Sequence, residues 1–435
     1  MKNLIETLKN IWKIEELRGR ILTTLGFLLI YRLGSFVALP GIDPQQLDAL
    51  QNQTSDGLLG LLNMFTGGAF SQASIMALGI MPYISASIVI QLMTMAVPYL
   101  QKLQKDGESG RTKISQITRY LTVLITCFQA PGYIANLKAT LPAEAFLLSS
   151  GSFWFSSIVI LVTGTMFAMW LGEKITDRGI GNGISLLIMV GIIASLPQAF
   201  LFEVGRAKPL IILVELVIML VVIFASVLLV QGVRRIPIQY AKRGATAQVA
   251  AARQYLPLKV NASGVMPIIF AQAIMFIPIT FAGLSESEGV QNFVATFSDF
   301  SGFWYNFVFA ILIILFTYFY TAITVNTNQM ADDLKRNGGF VPGVKPGKDT
   351  AGFLDGVMSR IVLPGSVFLA LLAILPAFAM NAGINQSFAQ FFGGTSLLIM
   401  VGVVLDTLQQ VEGYLLNRHY DGLMKTGRLT GKSGM

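Results

Sequence analysis

The sequence holds a single cysteine, Cys127, and a single histidine, His419, in 435 residues. The first excludes an intrachain disulfide framework, and the second excludes most metal sites and histidine relays. Charge is scarce as well: Asp, Glu, Lys and Arg make up 12%, about half of the ~25% that covers a soluble globular surface. No zinc-ligand set and no Ser/His constellation is present. The tail Gly427-Arg428-Leu429-Thr430-Gly431-Lys432-Ser433 has one residue too few between its glycines for a phosphate loop, with no strand before it or helix after it. Gly179-Ile180-Gly181-Asn182-Gly183 is a turn without the context of a nucleotide fingerprint. These absences predict a chain that is not an enzyme and carries no cofactor or metal.

What is abundant is apolar sequence: 54% hydrophobic residues, 30 of them Phe, at a mean hydropathy of +0.65. The apolar runs are about 20 residues long, the length of helix that crosses a ~30 Å hydrocarbon core. They give ten candidate spans, near 21–39, 74–97, 115–136, 152–172, 183–203, 209–231, 264–283, 303–326, 361–380 and 396–416. The last is the weakest, because Asp406, Gln409, Gln410 and Glu412 interrupt it. Threading the chain through these spans puts 27 of 31 basic residues on one face, leaving Arg32, Lys138, Arg206 and Lys208 at or beyond the other. The excess of Lys and Arg marks the cytoplasmic side, so both termini are expected in the cytoplasm. With 12 acidic residues on the basic face and 8 on the other, the modest net +8 conceals a strongly polarised molecule.

Residues 1–18 carry Leu4, Ile5, Leu8, Ile11 and Trp12 at helical spacing opposite Lys2, Lys9, Lys13 and Glu16. That pattern predicts an interfacial amphipathic helix rather than a cleaved signal. Two cytoplasmic loops, 232–263 and 327–360, are long and basic, and the second contains Pro342-Gly343-Val344-Lys345-Pro346-Gly347. Such charges set topology and touch anionic lipid. Clustered Lys and Arg also suit a polyanionic or acidic partner, and loops of this size exceed what topology requires.

An internal repeat is visible. Residues 77–86, ALGIMPYISA, and 262–271, ASGVMPIIFA, match at six of ten positions with a constant offset of 185. In the ten-span topology the two copies run antiparallel, as two inverted five-span halves would require. The halves are 1–207 and 208–435. Between spans 1 and 2 the apolar stretch 57–70 reaches only about 20 Å as a helix, too short to cross. It reads either as a re-entrant half-helix, buried in protein or facing a watery cavity, or as an external loop with an apolar patch. The clearest acids inside spans, Glu215, Asp406 and Glu412, lie toward span ends, whereas ion-coupled transporters normally need carboxylates or histidines near the midplane. A secondary transporter built on inverted repeats is the competing class, and neutralising Glu215 and Asp406 separates it from a passive channel.

Several segments are similar to hallmark stretches of the SecY family, the channel subunits of the bacterial general (Sec) protein translocase. They are Phe65-Thr66-Gly67-Gly68-Ala69, the run from Leu78 to Ser87, Gly107-Glu108-Ser109-Gly110-Arg111, the run from Asp177 to Gly183, Leu256-Pro257-Leu258-Lys259-Val260-Asn261 and the run from Gly393 to Ile399. The resemblance covers residues 1 to about 425. It implies an all-α polytopic membrane protein of ten helices in two inverted halves, located in the cytoplasmic (inner) membrane, with 57–70 as a plug whose tip and hinge are Phe65, Gly67 and Gly68. It further implies a pore ring of Ile80, Ile84, Ile184, Ile188, Ile269 and Ile399, and a lateral gate containing Ser85, Gln129 and Asn261. An aliphatic constriction would exclude water and ions by dewetting and close around a moving chain. The implied partners are SecE and SecG subunits, the SecA ATPase, the ribosome, signal peptides and nascent chains, and anionic lipid. Lys242, Arg243 and Lys345 become docking positions. Where the family usually carries Arg, Lys345 keeps the charge and gives up the planar fork.

Overall fold

A computed structural model describes residues 12, 14–47, 50, 60, 63–240, 254–282 and 301–426. Lys242 and Arg243, residues 1–11 of the amphipathic stretch, most of 51–62 and the tail from 427 lie outside the described residues.

Each of the ten predicted spans overlaps a helix. The first, α1 (Glu15–Gly34), opens on Glu15 and Glu16 and carries Arg32 in its last turn, the charge order that a helix dipole favours. Then come α2 (Met81–Ala96), α3 (Pro98–Lys105), α4 (Gly107–Thr140), α5 (Ser150–Arg178), α6 (Gly183–Arg206) and α7 (Pro209–Gln231). A small sheet follows, with β1 (Val233–Tyr240) and β2 (Gln254–Lys259), and after it α8 (Met266–Ala282), α9 (Phe303–Thr324) and α10 (Thr327–Arg336). Strand β3 (Gly339–Phe340), α11 (Lys348–Asn381), α12 (Gln386–Ala389) and α13 (Gly394–Thr426) complete the order. Among the described residues six helices are long and apolar enough to cross a membrane: α5, α6, α7, α9 with α10, α11 and the first 22 residues of α13. The pair α2 and α3, bent by 101°, would make a seventh. The bend has a local cause, since Val97 precedes Pro98 and takes an extended conformation, φ −102° and ψ 114°, as residues before proline do.

Two starts differ from the apolar runs that predicted them. The run at 74–97 becomes helix only from Met81, because 66–80 are turns and Gly79 sits at φ +51°. The run at 264–283 becomes helix from Met266, after Gly264 at φ +62°. A left-handed glycine breaks the ladder, and Pro82 or Pro267 in the following first turn costs nothing there, where the N–H has no partner to lose. The 185-residue offset therefore holds for backbone as well as sequence.

The chain divides into two compact units, Met1–Pro197 with Val403–Met435, and Gln198–Gly402. In the first, Phe70, Ala73 and Ala77 share a core with Leu39, Ile42, Tyr133, Ile134, Leu137, Phe153 and Leu161, so the chain entering α2 is packed against α4 and α5. In the second, the order β2-β1-β3 forms an antiparallel sheet, with Val233 opposite Lys259 and Tyr240 opposite Gly339. This sheet is an addition to the helical expectation. Ile236 and Ile238 alternate inward while Arg234 and Arg235 stay exposed, the period-two pattern of a half-buried strand. Ile236, Leu258 and Val341 pack on Leu354, Met358 and Val362 of α11. The two basic loops thus form one structure.

Candidate functional site

The predicted plug tip lies in the first unit. Residues 63–65 are a helical turn, and the chain then runs through turns to Ile80. Asn63 organises the reversal: its carbonyl accepts from Gly68 N at 2.8 Å, and its Oδ1 accepts from Ser71 N at 3.0 Å. Gly67 and Gly68 take φ +66° and +88°, which side chains resist. Thr66 Oγ1 accepts from Phe70 N at 3.2 Å, and Ser71 Oγ donates to Gly68 O at 3.0 Å. The root is pinned at two further points. Leu39 N donates to Ala73 O and Ile75 N to Val37 O, while Tyr133 Oη donates to Phe70 O at 2.8 Å with its ring tilted on that of Phe70. Met64, Phe65, Thr66, Ala69 and Phe70 are all buried. From Thr66 on this is non-helical backbone, largely buried and held by many hydrogen bonds, the condition under which such chain survives at membrane depth.

Two side elements close on the tip. Arg32 Nη1 donates to Gly67 O, and the guanidinium lies 4.8 Å from the centre of the Phe36 ring. Gly191 of α6 is in direct apposition: a Cβ there would fall 2.7 Å from Phe65 O and 3.1 Å from Gly67 N. Sequence reasoning counted Arg32 only as an outer charge and passed over Gly191. The signal for Arg32 was a lone cation at the end of an apolar run; Gly191 had none.

The predicted ring residues share a position in their helices. Ile80 immediately precedes α2, and Ile84 lies in its first turn, its N donating to Ile80 O at 3.1 Å. Ile184 and Ile188 fall in the first two turns of α6, as do Ile269 in α8 and Ile399 in α13. Ile80, Ile188 and Ile399 are buried, and Ile84, Ile184 and Ile269 half-buried. The start of α6 is firmly held. Asn182 Oδ1 accepts from Ile184 N and Ser185 N, Gly181 N donates to Gln410 Oε1 and Ile180 N to Thr24 Oγ1. Of the predicted gate positions, Ser85 on α2 is half-buried and Gln129 on α4 exposed, with no hydrogen bond between them among the described residues. Asn261, in the second unit, accepts at Oδ1 from Ser263 Oγ at 3.2 Å.

Lys345 is exposed in the turn between β3 and α11. The turn is built by Gly343 at φ +83° and Gly347 at φ +102°, and Thr350 Oγ1 donates to Lys345 O at 2.8 Å. Glu215 is buried, and its Oε2 has no hydrogen-bond partner among the described residues, while Arg206 and Lys208 are exposed. Glu203, also buried, accepts from Asn385 N at 2.9 Å. Asp406 is exposed.

Comparisons with known proteins agree with this architecture. A model of the SecY family matches residues 74–408. The protein translocase subunit SecY of Escherichia coli (strain K12) is 43% identical over 426 residues, spanning 96% of each chain. A solved structure in which the plug domain of the SecY protein stabilises the closed translocation channel aligns with TM-score 0.63 at 17% identity, covering 92% of this chain and 93% of that one. Sec61 from the canine ribosome–channel complex of the endoplasmic reticulum aligns with TM-score 0.56 at 16% identity and the same coverages. At those identities the structural likeness speaks for the fold.

Proposed function

The chain belongs to the SecY family and is a multi-pass, protein-conducting channel subunit of the protein translocase, and on that premise we propose how its residues seal and open the path. The plug is 57–70, of which residues 60 and 63–70 are described, resting in the outer part of the channel. A ring of Ile80, Ile84, Ile184, Ile188, Ile269 and Ile399 forms the constriction. Aliphatic side chains present no fixed hydrogen-bonding demand, so they dewet an empty pore and close around chains of any sequence.

One observation carries this reading: residues 66–80 are buried, turn-rich backbone whose groups are met by Asn63, Arg32, Tyr133 and the strand-like stretch 37–39. A segment of that kind, anchored at its root and following only the helical turn 63–65, suits a stopper better than a span. Ten spans in two inverted halves, 1–207 and 208–435, with both termini in the cytoplasm, are supported by the charge asymmetry and the repeat at offset 185. The membrane is the bacterial cytoplasmic one. Ser85, Gln129 and Asn261 line the seam through which apolar segments leave for lipid. Interhelical polar contacts in membranes contribute only ~0.6–2 kcal/mol, weak enough for a signal peptide to part.

The exposed basic sheet and the Lys345 turn serve as the docking face for the ribosome and the SecA motor, with Lys242 and Arg243 as further contacts. The relative solved with a ribosome supports the first partner. SecE and SecG complete the complex, and anionic lipid meets the remaining surface charge. Nucleotide hydrolysis belongs to the partners.

The test is crosslinking of a stalled secretory chain to cysteines placed at Ile84 and at Ile269. Adducts at both positions are expected. Their absence at both sinks the ring assignment.

A further inference from the structure

We propose that Arg32 is the latch of the closed plug, a positioning residue that works with Gly191 to hold the tip; this rests on the plug reading above. Arg32 stands in the last turn of α1, half-buried, and spends its guanidinium on a backbone carbonyl. The ion pairs among the described residues are Arg20 with Glu16 and Arg119 with Glu173, so no carboxylate there neutralises Arg32. A cation at the end of an apolar helix is costly unless its donors are satisfied. The Phe36 ring and the Gly67 carbonyl are what satisfy it.

The chosen carbonyl is available because of the glycines. Gly67 and Gly68 in left-handed conformation turn the chain out of the helical turn that ends at Phe65. Gly67 is then enclosed twice: a Cβ built on it would meet Arg32 Nη1 at 2.8 Å and Gly191 Cα at 2.9 Å. Gly191 completes the notch by lacking a side chain. A latch of this composition holds a resting tip through one charge-assisted bond and a bare backbone contact. It has no ion pair to break, so an arriving chain displaces it without stranding a partner carboxylate in lipid.

The experiment is resting ion conductance of the reconstituted complex in planar bilayers, for the parent, Arg32→Gln, Arg32→Lys, Gly191→Ala, a deletion of 60–68, and each single variant combined with that deletion. Arg32→Gln is expected to raise the leak about tenfold, the population shift that follows loss of one charge-assisted bond, and Gly191→Ala is expected to raise it as well by pressing a Cβ onto Phe65 O and Gly67 N. Arg32→Lys, which keeps a charged donor, should leak less than Arg32→Gln. In the deletion background neither Arg32→Gln nor Gly191→Ala should add anything, because a latch acts only through what it holds. If the deletion leaks but the two substitutions stay tight, the latch is overturned and the plug stands. Should the deletion itself stay tight, the plug reading falls and the latch with it. An equal increment from Arg32→Gln with and without the plug would expose a general structural role and also overturn the latch. If Arg32→Gln fails to accumulate, the Gly191→Ala pair decides by the same rule.

Discussion

The two copies of the repeat, 77–86 and 262–271, begin their helices identically and are approached by different chain. Both have a left-handed glycine, Gly79 or Gly264, two residues before the helix start at Met81 or Met266. Ahead of Gly79 lies the buried, turn-rich segment proposed as the plug; ahead of Gly264 lies β2, with Arg234 and Arg235 exposed on the strand paired to it. The turn-and-proline device therefore sets where each helix begins, and the upstream segment sets what that entrance does. On the proposed function, one entrance is filled and the other is approached from water.

The widest gap between the copies is expected at their first residue. Ala77 has no exposed surface and sits in the core shared by Phe70 and Tyr133, whereas Ala262 is half-buried beside the sheet. Ala77→Asp strands a charge among apolar groups, at a cost of several kcal/mol, and should abolish accumulation of the protein in membranes. Ala262→Asp should accumulate at levels near the parent. Equal levels, measured by immunoblot of membrane fractions, would break the contrast. Next comes Tyr133→Phe, which leaves the buried Phe70 carbonyl with only the longer bond from Ala73 N at 3.3 Å, a loss of about 0.5–1.5 kcal/mol. The midpoint of thermal unfolding in detergent should fall and the resting leak rise. A lowered midpoint with no leak would assign Tyr133 to general stability rather than to the plug root.

How much of this was written in the sequence depends on the length scale of the signal. Runs of about 20 apolar residues pointed to a helix near each of ten positions, since helices at membrane depth satisfy their own backbone. Among the described residues six helices, or seven with the bent pair α2 and α3, are long and apolar enough to cross. Helix starts were misjudged where Gly79 and Gly264 interrupt hydropathy without changing it, so that 74–80 looked like span and proved to be turns. The sheet was missed because Val233–Tyr240 alternates over only eight residues, with two arginines and a proline among them. The proposed plug stood out as an apolar segment too short to cross, open to reading as a re-entrant half-helix or an external loop, and its fastening was not visible at all. Bonds from Asn63, Arg32 and Tyr133 join residues up to 63 positions apart, and no local pattern encodes them. The six ring isoleucines came from family resemblance alone, as isoleucine in a span is ordinary.

Two smaller effects sharpen the comparison further. Gly79→Ala and Gly264→Ala each force a Cβ into left-handed backbone, about 1–2 kcal/mol apiece. Only the first also meets neighbours, Thr66 Cγ2 at 3.2 Å and Tyr31 Oη at 3.6 Å, while nothing lies within 4 Å of the second. Both variants should lose similar thermal stability, and only Gly79→Ala should raise the leak, through the plug residue it presses. A leak from Gly264→Ala of the same size would show that helix entry itself, rather than the upstream segment, controls the seal.

The smallest expected effect belongs to the water-facing entrance. Lys345 is exposed on a turn fixed by Thr350 and two left-handed glycines, so Lys345→Arg should leave fold and leak untouched. What changes is the head group: a planar fork reaches two acceptors at once where an ammonium offers a point charge. Affinity for a docking partner should rise by a factor of a few at low salt, and the gain from pure charge should be nil because the charge is the same. Exposed interactions are screened within about 10 Å at 0.1 M salt, so binding of both forms should weaken as salt rises. The residue's contribution is then read from the ratio of the two affinities, which a merely topological lysine would hold at one under every condition.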